Sequence, residues 1–321
     1  MAEGSRPGAR TDGARLVLLI EGGSSRGAYS SGMTLAFEEL GLLECFDAVY
    51  GSSAGALNAA WLLCRRARQS VRAWWDPSVM RKVIAPRRAL RGGPVVDTRH
   101  LVHHVYEHVF PMGFAEILAS PVTFHPLATD ALTGRSTDLH PYLIDVPTLQ
   151  LALRASTCLP VLAGPPVTIG ASSYLDAGVA ESVPIHTALA QGATHVVCLR
   201  TRREDEVVGA PGALERRIVG RYLSRNAPGA LEVWMSRQRR RAQEEEALAG
   251  HPAVLQIRPP AGALVLGRVE RDSAVLRRAV DDGLAQAVAA LARILPEKVM
   301  AEAGYGDAGA RVGDAAGSSG G

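Results

Sequence analysis

The chain has 321 residues, 47% of them apolar, 21% charged and only 5% aromatic. This is ordinary globular composition, enough for one large α/β domain or two ordinary ones, with a core built mainly from Leu, Val and Ala. A formal net charge of +3 does not by itself point to nucleic acid, and because Lys82 and Lys298 are the only lysines, the arginine excess reads as codon bias and not as a binding signature.

The four cysteines, Cys45, Cys64, Cys158 and Cys198, show no metal-ligand spacing and read as reduced core thiols. No apolar run reaches signal-peptide or membrane-span length, so the expectation is a soluble, cytoplasmic protein. Residues 1–14 are rich in Gly, Arg and small polar residues and are expected to be disordered. The wholly apolar Leu16–Ile20 predicts a strand buried on both faces. Gly27–Leu40 predicts a helix ended by Gly41, Phe46–Tyr50 a second strand, and Ala54 to about Ala67 a second helix. Residues 66–150 are less regular. His195–Leu199 and Ala253–Ile257 predict further buried strands. Asp272 and Ser273 suit the cap of a long final helix, with Leu276, Val280, Leu284, Val288, Leu291 and Leu295 on one face. Strands alternating with helices imply a sheet covered on both sides. A single domain is expected over 15–296, followed by a flexible tail over 297–321.

The chemistry concentrates at two glycine-rich turns. Gly51-Ser52-Ser53-Ala54-Gly55 lies between a predicted strand and a predicted helix. Alone, G-x-S-x-G is a weak pattern; at a strand-to-helix junction it acquires a mechanical sense. A sharp turn there exposes the central hydroxyl, small residues on either side let the backbones close up, and the following helix directs its dipole and the Ala54 N–H to the same point. Ser53 is thus a candidate nucleophile, against the blander reading of a tight turn with an unreactive serine. Upstream, Gly22-Gly23-Ser24-Ser25-Arg26-Gly27 lacks the glycine and the acid a dinucleotide loop wants, and the lysine a phosphate loop wants. The favoured reading is an oxyanion loop with the Gly23 and Ser24 N–H groups facing Ser53.

The later histidines, His186, His195 and His251, are not well placed to serve as a base, and each reads more simply as structural. A carboxylate is the other choice: in Tyr174-Leu175-Asp176-Ala177-Gly178-Val179 an acid follows a short strand and begins a small-residue turn. An ordinary Asx turn accounts for the same residues.

Together these three segments resemble the patatin-like phospholipase family, whose members use a Ser–Asp dyad. The family's glycine loop matches Glu21 to Gly27, its G-x-S-x-G matches Gly51 to Gly55, and its Asp-Gly-Gly/Ala turn matches Asp176-Ala177-Gly178. Ala155-Ser156-Thr157-Cys158-Leu159-Pro160, Val183-Pro184-Ile185 and Gly192-Ala193-Thr194-His195-Val196-Val197 also fit, so the similarity runs over about 15–290. Two departures stand out: Ser24 replaces a loop glycine, and Ala177 replaces the glycine after the aspartate. The resemblance implies a three-layer α/β/α fold with a largely parallel central sheet. It implies Ser53 as nucleophile and Asp176 as base, with Gly22, Gly23, Ser24, Arg26 and Ala54 around the oxyanion and substrate. Arg26 would attract a lipid phosphate or simply brace the loop. Implied substrates are phospholipids or other acyl lipids, with no metal, calcium or organic cofactor and no nucleic acid. An esterase or thioesterase on soluble acyl substrates, or a catalytically weak membrane-binding regulator, is the alternative.

Arg65 to Arg91 carries nine basic residues and one acid, with Trp74 and Trp75 among them. A solvated basic face is the bland reading; peripheral contact with an anionic membrane is the sharper one. Arg237, Arg239, Arg240 and Arg241, followed by Glu244, Glu245 and Glu246, suggest a self-paired helix surface.

Overall fold

The computed structural model describes residues 10–206 and 209–306. The expectations for residues 1–9 and 307–321 fall outside that range. Its strands, in chain order, are β1 (Leu16–Ile20), β2 (Ala48–Ser52), β3 (Thr123–Asp130), β4 (Ser136–Asp138), β5 (Val167–Ile169), β6 (Ser172–Leu175), β7 (His195–Leu199) and β8 (Val254–Ile257). They form one mixed sheet in the order β5-β6-β3-β2-β1-β7-β8, with β4 added alongside β3. The run β3-β2-β1-β7-β8 is parallel, while β4, β5 and β6 join antiparallel.

Because β1 has no polar face, it can only sit inside the sheet, and it lies between β2 and β7. Its side chains alternate between two cores. Leu16, Leu18 and Ile20 join the larger cluster with Met33, Phe37, Leu57 and Trp61, whereas Val17 and Leu19 join Ile185, Ala188 and Leu248 on the opposite face. Helices therefore cover both sides, giving the three-layer arrangement expected.

Four helices build the first face: α1 (Gly27–Glu39), α2 (Ala54–Leu63), α3 (Ala67–Trp75) and α4 (Pro77–Val83). Every residue of α1 from Gly27 to Phe37 is buried, which marks an internal helix. It is covered by the final long helix, Ser273–Ala292, where Asp272 accepts from the N–H groups of Ala274 and Val275 as its sequence position predicts. The two helices nearly touch backbone to backbone: a methyl group added at Gly32 would stand 1.9 Å from the Val280 carbonyl oxygen, and one at Gly283 2.0 Å from that of Tyr29. Leu276, Val280, Val288 and Leu291 are buried on this helix, and Leu284 packs at the margin of the core.

Several boundaries differ from the sequence reading. The strand predicted over Phe46–Tyr50 runs from Ala48 to Ser52, because Phe46 closes a single 3-10 turn and packs its ring on Phe37 at 5.9 Å. The second helix stops at Leu63, since Arg65 adopts a left-handed backbone and α3 begins at Ala67. The ends carry more order than their composition suggests. Arg10 pairs with Asp47 at 2.8 Å, Glu297–Glu302 is helical with Met300 buried, and the Tyr305 hydroxyl donates to Glu39. No helix among the described residues is long and apolar enough to cross a membrane.

The basic stretch is more neutral in space than in sequence. Arg65 pairs with Glu44, Arg68 with Glu39, Arg66 with Glu116 at 2.6 Å and Arg88 with Asp97 at 3.1 Å. Trp74 turns inward, its indole N–H donating to Asn58 Oδ1 at 3.2 Å. Trp75 lies 5.7 Å from the Arg277 guanidinium.

Candidate active site

β2 runs straight into α2, and the turn between them is Ser53, held at φ 54° and ψ −124°. A non-glycine residue rarely takes such a backbone, and here two close approaches enforce it. A methyl group at Gly55 would lie 2.2 Å from the Ile20 carbonyl oxygen, and one at Gly51 would lie 2.5 Å from Cα of Ala56. Glycine at both positions lets α2 start immediately against the ends of β1 and β2. The Ser53 N–H donates to Ser156 Oγ at 2.9 Å, which fixes the turn from a third element.

β3 brings the second component in. Ser52 stands opposite Leu127, and Leu175 stands opposite Thr129, so one step further along β2 and β6 puts positions 53 and 176 level with Ala128. The Ser53 hydroxyl donates to Asp176 Oδ2 at 2.6 Å. Asp176 Oδ1 accepts from the Gly178 N–H at 2.9 Å, so the replacement of glycine by Ala177 leaves the turn's essential donor in place. Its backbone is anchored as well: the Asp176 N–H donates to the Cys158 carbonyl at 2.9 Å, and its carbonyl accepts from Thr129 Oγ1 at 2.8 Å. Both groups are nearly sealed, with Ser53 4% and Asp176 3% exposed. Burial pushes the Asp176 carboxyl up to about 6, against the hydrogen bonds from Ser53 and Gly178 and the positive charge of Arg268.

The glycine loop lies across from this pair. Gly22 does not offer its N–H, which donates to the Ser182 carbonyl at 3.0 Å; its backbone lines the pocket instead. Among the described residues the N–H groups of Gly23, Ser24 and Ala54 have no protein acceptor. Ser24 takes φ 52°, a glycine-like backbone for which its hydroxyl compensates by donating to the Arg268 carbonyl. The loop's anchor is Glu21, which accepts from Arg200 Nε at 3.0 Å and from the Thr201 N–H at 2.8 Å. Burial opposes its ionisation, but Arg200, Arg202 and Thr201 together hold the carboxyl below the usual range.

Ser53 separates two pockets. One is apolar and is walled by Leu57, Trp74, Val79, Met80, Val83 and Ile84. The other is lined by Arg26, Arg237, Arg241 and Arg268 together with Asp176. The predicted residues Ser53, Asp176, Gly22, Gly23, Ser24 and Arg26 thus converge on one place, with Ala54 on the apolar side. Among the described residues no histidine hydrogen-bonds to Ser53 or Asp176. No group of three or more His, Cys, Asp or Glu side chains among them is arranged to hold a metal ion.

Sequence reasoning missed Thr129, Ser156 and the three later arginines. Ser156 carried a signal, since it lies within the Ala155-to-Pro160 stretch that also resembles the family. Thr129 and the arginines come from regions without a motif. The Arg237–Gly250 helix is not self-paired as predicted: Arg237 reaches Glu215 at 3.2 Å, and Glu245 serves Arg200 and Arg258. The i,i+4 neighbours lose because the helix lies against other elements that present opposite charge.

A family model described as Patatin-like phospholipase matches residues 18–189. An uncharacterized protein, YjjU of Escherichia coli (strain K12), is 28% identical over 193 residues, covering 58% of this chain and 52% of that protein. The chain thus spans about half the length of the curated relative it matches.

Proposed function

The chain belongs to the patatin-like phospholipase family, a family of lipid acyl hydrolases, and from that premise we propose that it cleaves carboxylic esters of acyl lipids with a Ser53–Asp176 dyad. The observation that carries this reading is the 2.6 Å hydrogen bond from Ser53 to Asp176 at the junction of an apolar and a cationic pocket.

In the proposed reaction the acyl chain lies in the apolar cleft and the ester carbonyl rests over Ser53. Asp176 accepts the hydroxyl proton as Ser53 Oγ bonds to the carbonyl carbon, and the N–H groups of Gly23, Ser24 and Ala54 receive the developing oxyanion. Collapse breaks the bond to the alcohol, which leaves with the proton from Asp176. Water then attacks the acyl-enzyme, gives a proton to Asp176, and Ser53 departs reprotonated with release of the fatty acid. A carboxylate of ordinary pKa is a poor base for an alkanol; one raised to about 6 by burial is better matched near neutral pH. The apolar walls favour lipid acyl chains over short soluble esters. Any contact with an anionic membrane belongs to residues 81–91, where Arg81, Lys82, Arg87 and Arg91 are exposed, Leu90 is 87% exposed, and Val83 and Ile84 line the cleft.

A fluorophosphonate probe tests the nucleophile: wild type is expected to label and Ser53→Ala not to. Equal labelling of both, or none of a folded wild type, removes Ser53 from the role.

A further inference from the structure

We propose that Arg26 and Arg241, supported by Arg237 and Arg268, form a subsite for a phosphate monoester on the alcohol side of the scissile ester. This rests on the hydrolase reading and narrows its substrate class to acyl esters whose alcohol carries a phosphate close to the ester oxygen.

The first reason is position. Ser24, Ser53 and Leu159 line both pockets. An ester whose acyl chain fills the apolar cleft therefore points its alcohol into the arginine pocket. The second reason is charge. Arg237 and Arg268 share one carboxylate, Glu215, at 3.2 and 3.5 Å. Among the described residues no carboxylate lies within ion-pair distance of Arg26 or Arg241; the nearby Glu21 is taken by Arg200 at 3.0 Å and Arg202 at 3.7 Å. Glu244, one turn from Arg241, does not cancel it near neutral pH, because burial pushes that carboxyl up to about 8.

Third, the Arg26 guanidinium is enclosed without being fully satisfied. Arg26 Nε is buried with no hydrogen-bond partner. Burial and the neighbouring Arg202 lower both Arg26 and Arg241 to about 10, which leaves both cationic near neutrality while mutual repulsion raises the cost of keeping them there. Guanidinium forks match phosphate oxygens in geometry, and two uncompensated positive charges match a phosphate dianion. A neutral acylglycerol would leave both unpaired. Arg237 is held in place from below, its guanidinium 4.0 Å from the centre of the Trp234 ring.

The test compares kcat/KM of the full chain on three monomeric substrates, dihexanoyl phosphatidate, dihexanoylphosphatidylcholine and dihexanoylglycerol. Phosphatidate is expected to exceed dihexanoylglycerol at least tenfold, with phosphatidylcholine between them. Arg241→Met should reduce that ratio at least tenfold, chiefly through KM, and Arg241→Lys should restore part of it. A wild-type ratio near one, or an Arg241→Met effect equal on all three substrates, overturns the subsite. Calorimetry on Ser53→Ala separates this from failure of the hydrolase reading, since it needs no turnover. Glycerol 3-phosphate should bind more tightly than inorganic phosphate, and at least tenfold more weakly once Arg241→Met is added. Equal binding of the two ligands would mean a free-phosphate site and overturn the head-group assignment, as would no binding of either.

Discussion

Replacing Asp176 by Asn should make the protein more stable at neutral pH while removing its activity. Burial raises this carboxyl from an ordinary 3.8 to about 6. The folded state therefore binds the proton more readily than the unfolded state does. The sign is opposite to that of a salt-bridged aspartate: this group's contribution is most favourable below pH 4, declines as pH rises from about 4 to about 6, and stays low above that. That rise corresponds to about 3 kcal/mol. Asparagine cannot ionise, so urea unfolding of Asp176→Asn and wild type should diverge by about 2.4 kcal/mol between pH 4 and pH 8, in favour of the variant. Any pH-independent difference in hydrogen bonding is a constant offset that drops out of this comparison. Two stability curves that run parallel across that range would refute the assignment of a buried, reluctant carboxylate. The same group sets the activity profile: wild-type kcat/KM should fall about tenfold per pH unit below about 6, and Asp176→Asn should lose about 10²–10⁴ in kcat.

Three further outcomes follow from the packing around the site. Gly55→Ala would force a methyl group to within 2.2 Å of the Ile20 carbonyl oxygen, so thermal melting should drop by several degrees and probe labelling of Ser53 should fall with it. Thr129→Val keeps the shape but removes the hydroxyl that donates to the Asp176 carbonyl at 2.8 Å, while the Ala180 N–H keeps the Ala177 carbonyl as acceptor at 3.0 Å; urea melts should show a loss of about 0.5–1.5 kcal/mol, and kcat should decline as Asp176 loses this backbone anchor. Leu57→Trp narrows the apolar cleft, and the ratio of kcat/KM for decanoyl over acetyl p-nitrophenyl esters should fall at least tenfold.

What could be read from the chain alone was what local chemistry dictates. The Gly51–Gly55 turn, the Asp176 turn and the apolar β1 and β7 each announce themselves within a few residues, because backbone sterics and two-sided burial leave little choice. The region from β3 to β6 was less legible. β4 and β6 are short and rich in Ser and Thr, and β6 pairs antiparallel with β3 from beyond the intervening Val146–Ser156 helix, so composition and periodicity mark them poorly. Ser156 and Thr129 act through single hydroxyls aimed at the backbone of distant turns, a contact no spacing rule encodes. The arginine pocket was misjudged for a related reason: i,i+4 logic treats a helix as isolated, whereas Arg237 and Glu245 find their partners on other elements.

The glycine loop is held by groups from the far end of the polypeptide: the carbonyls of Arg268 and Glu270 accept from Ser24 and Ser25, and the helix just beyond closes over α1. During translation, residues 16–60 leave the ribosome long before those clasps exist. On the proposed reading, a nascent chain holds Ser53 early but lacks the clasps that set the opposing amides until the Arg268–Glu270 segment has been made.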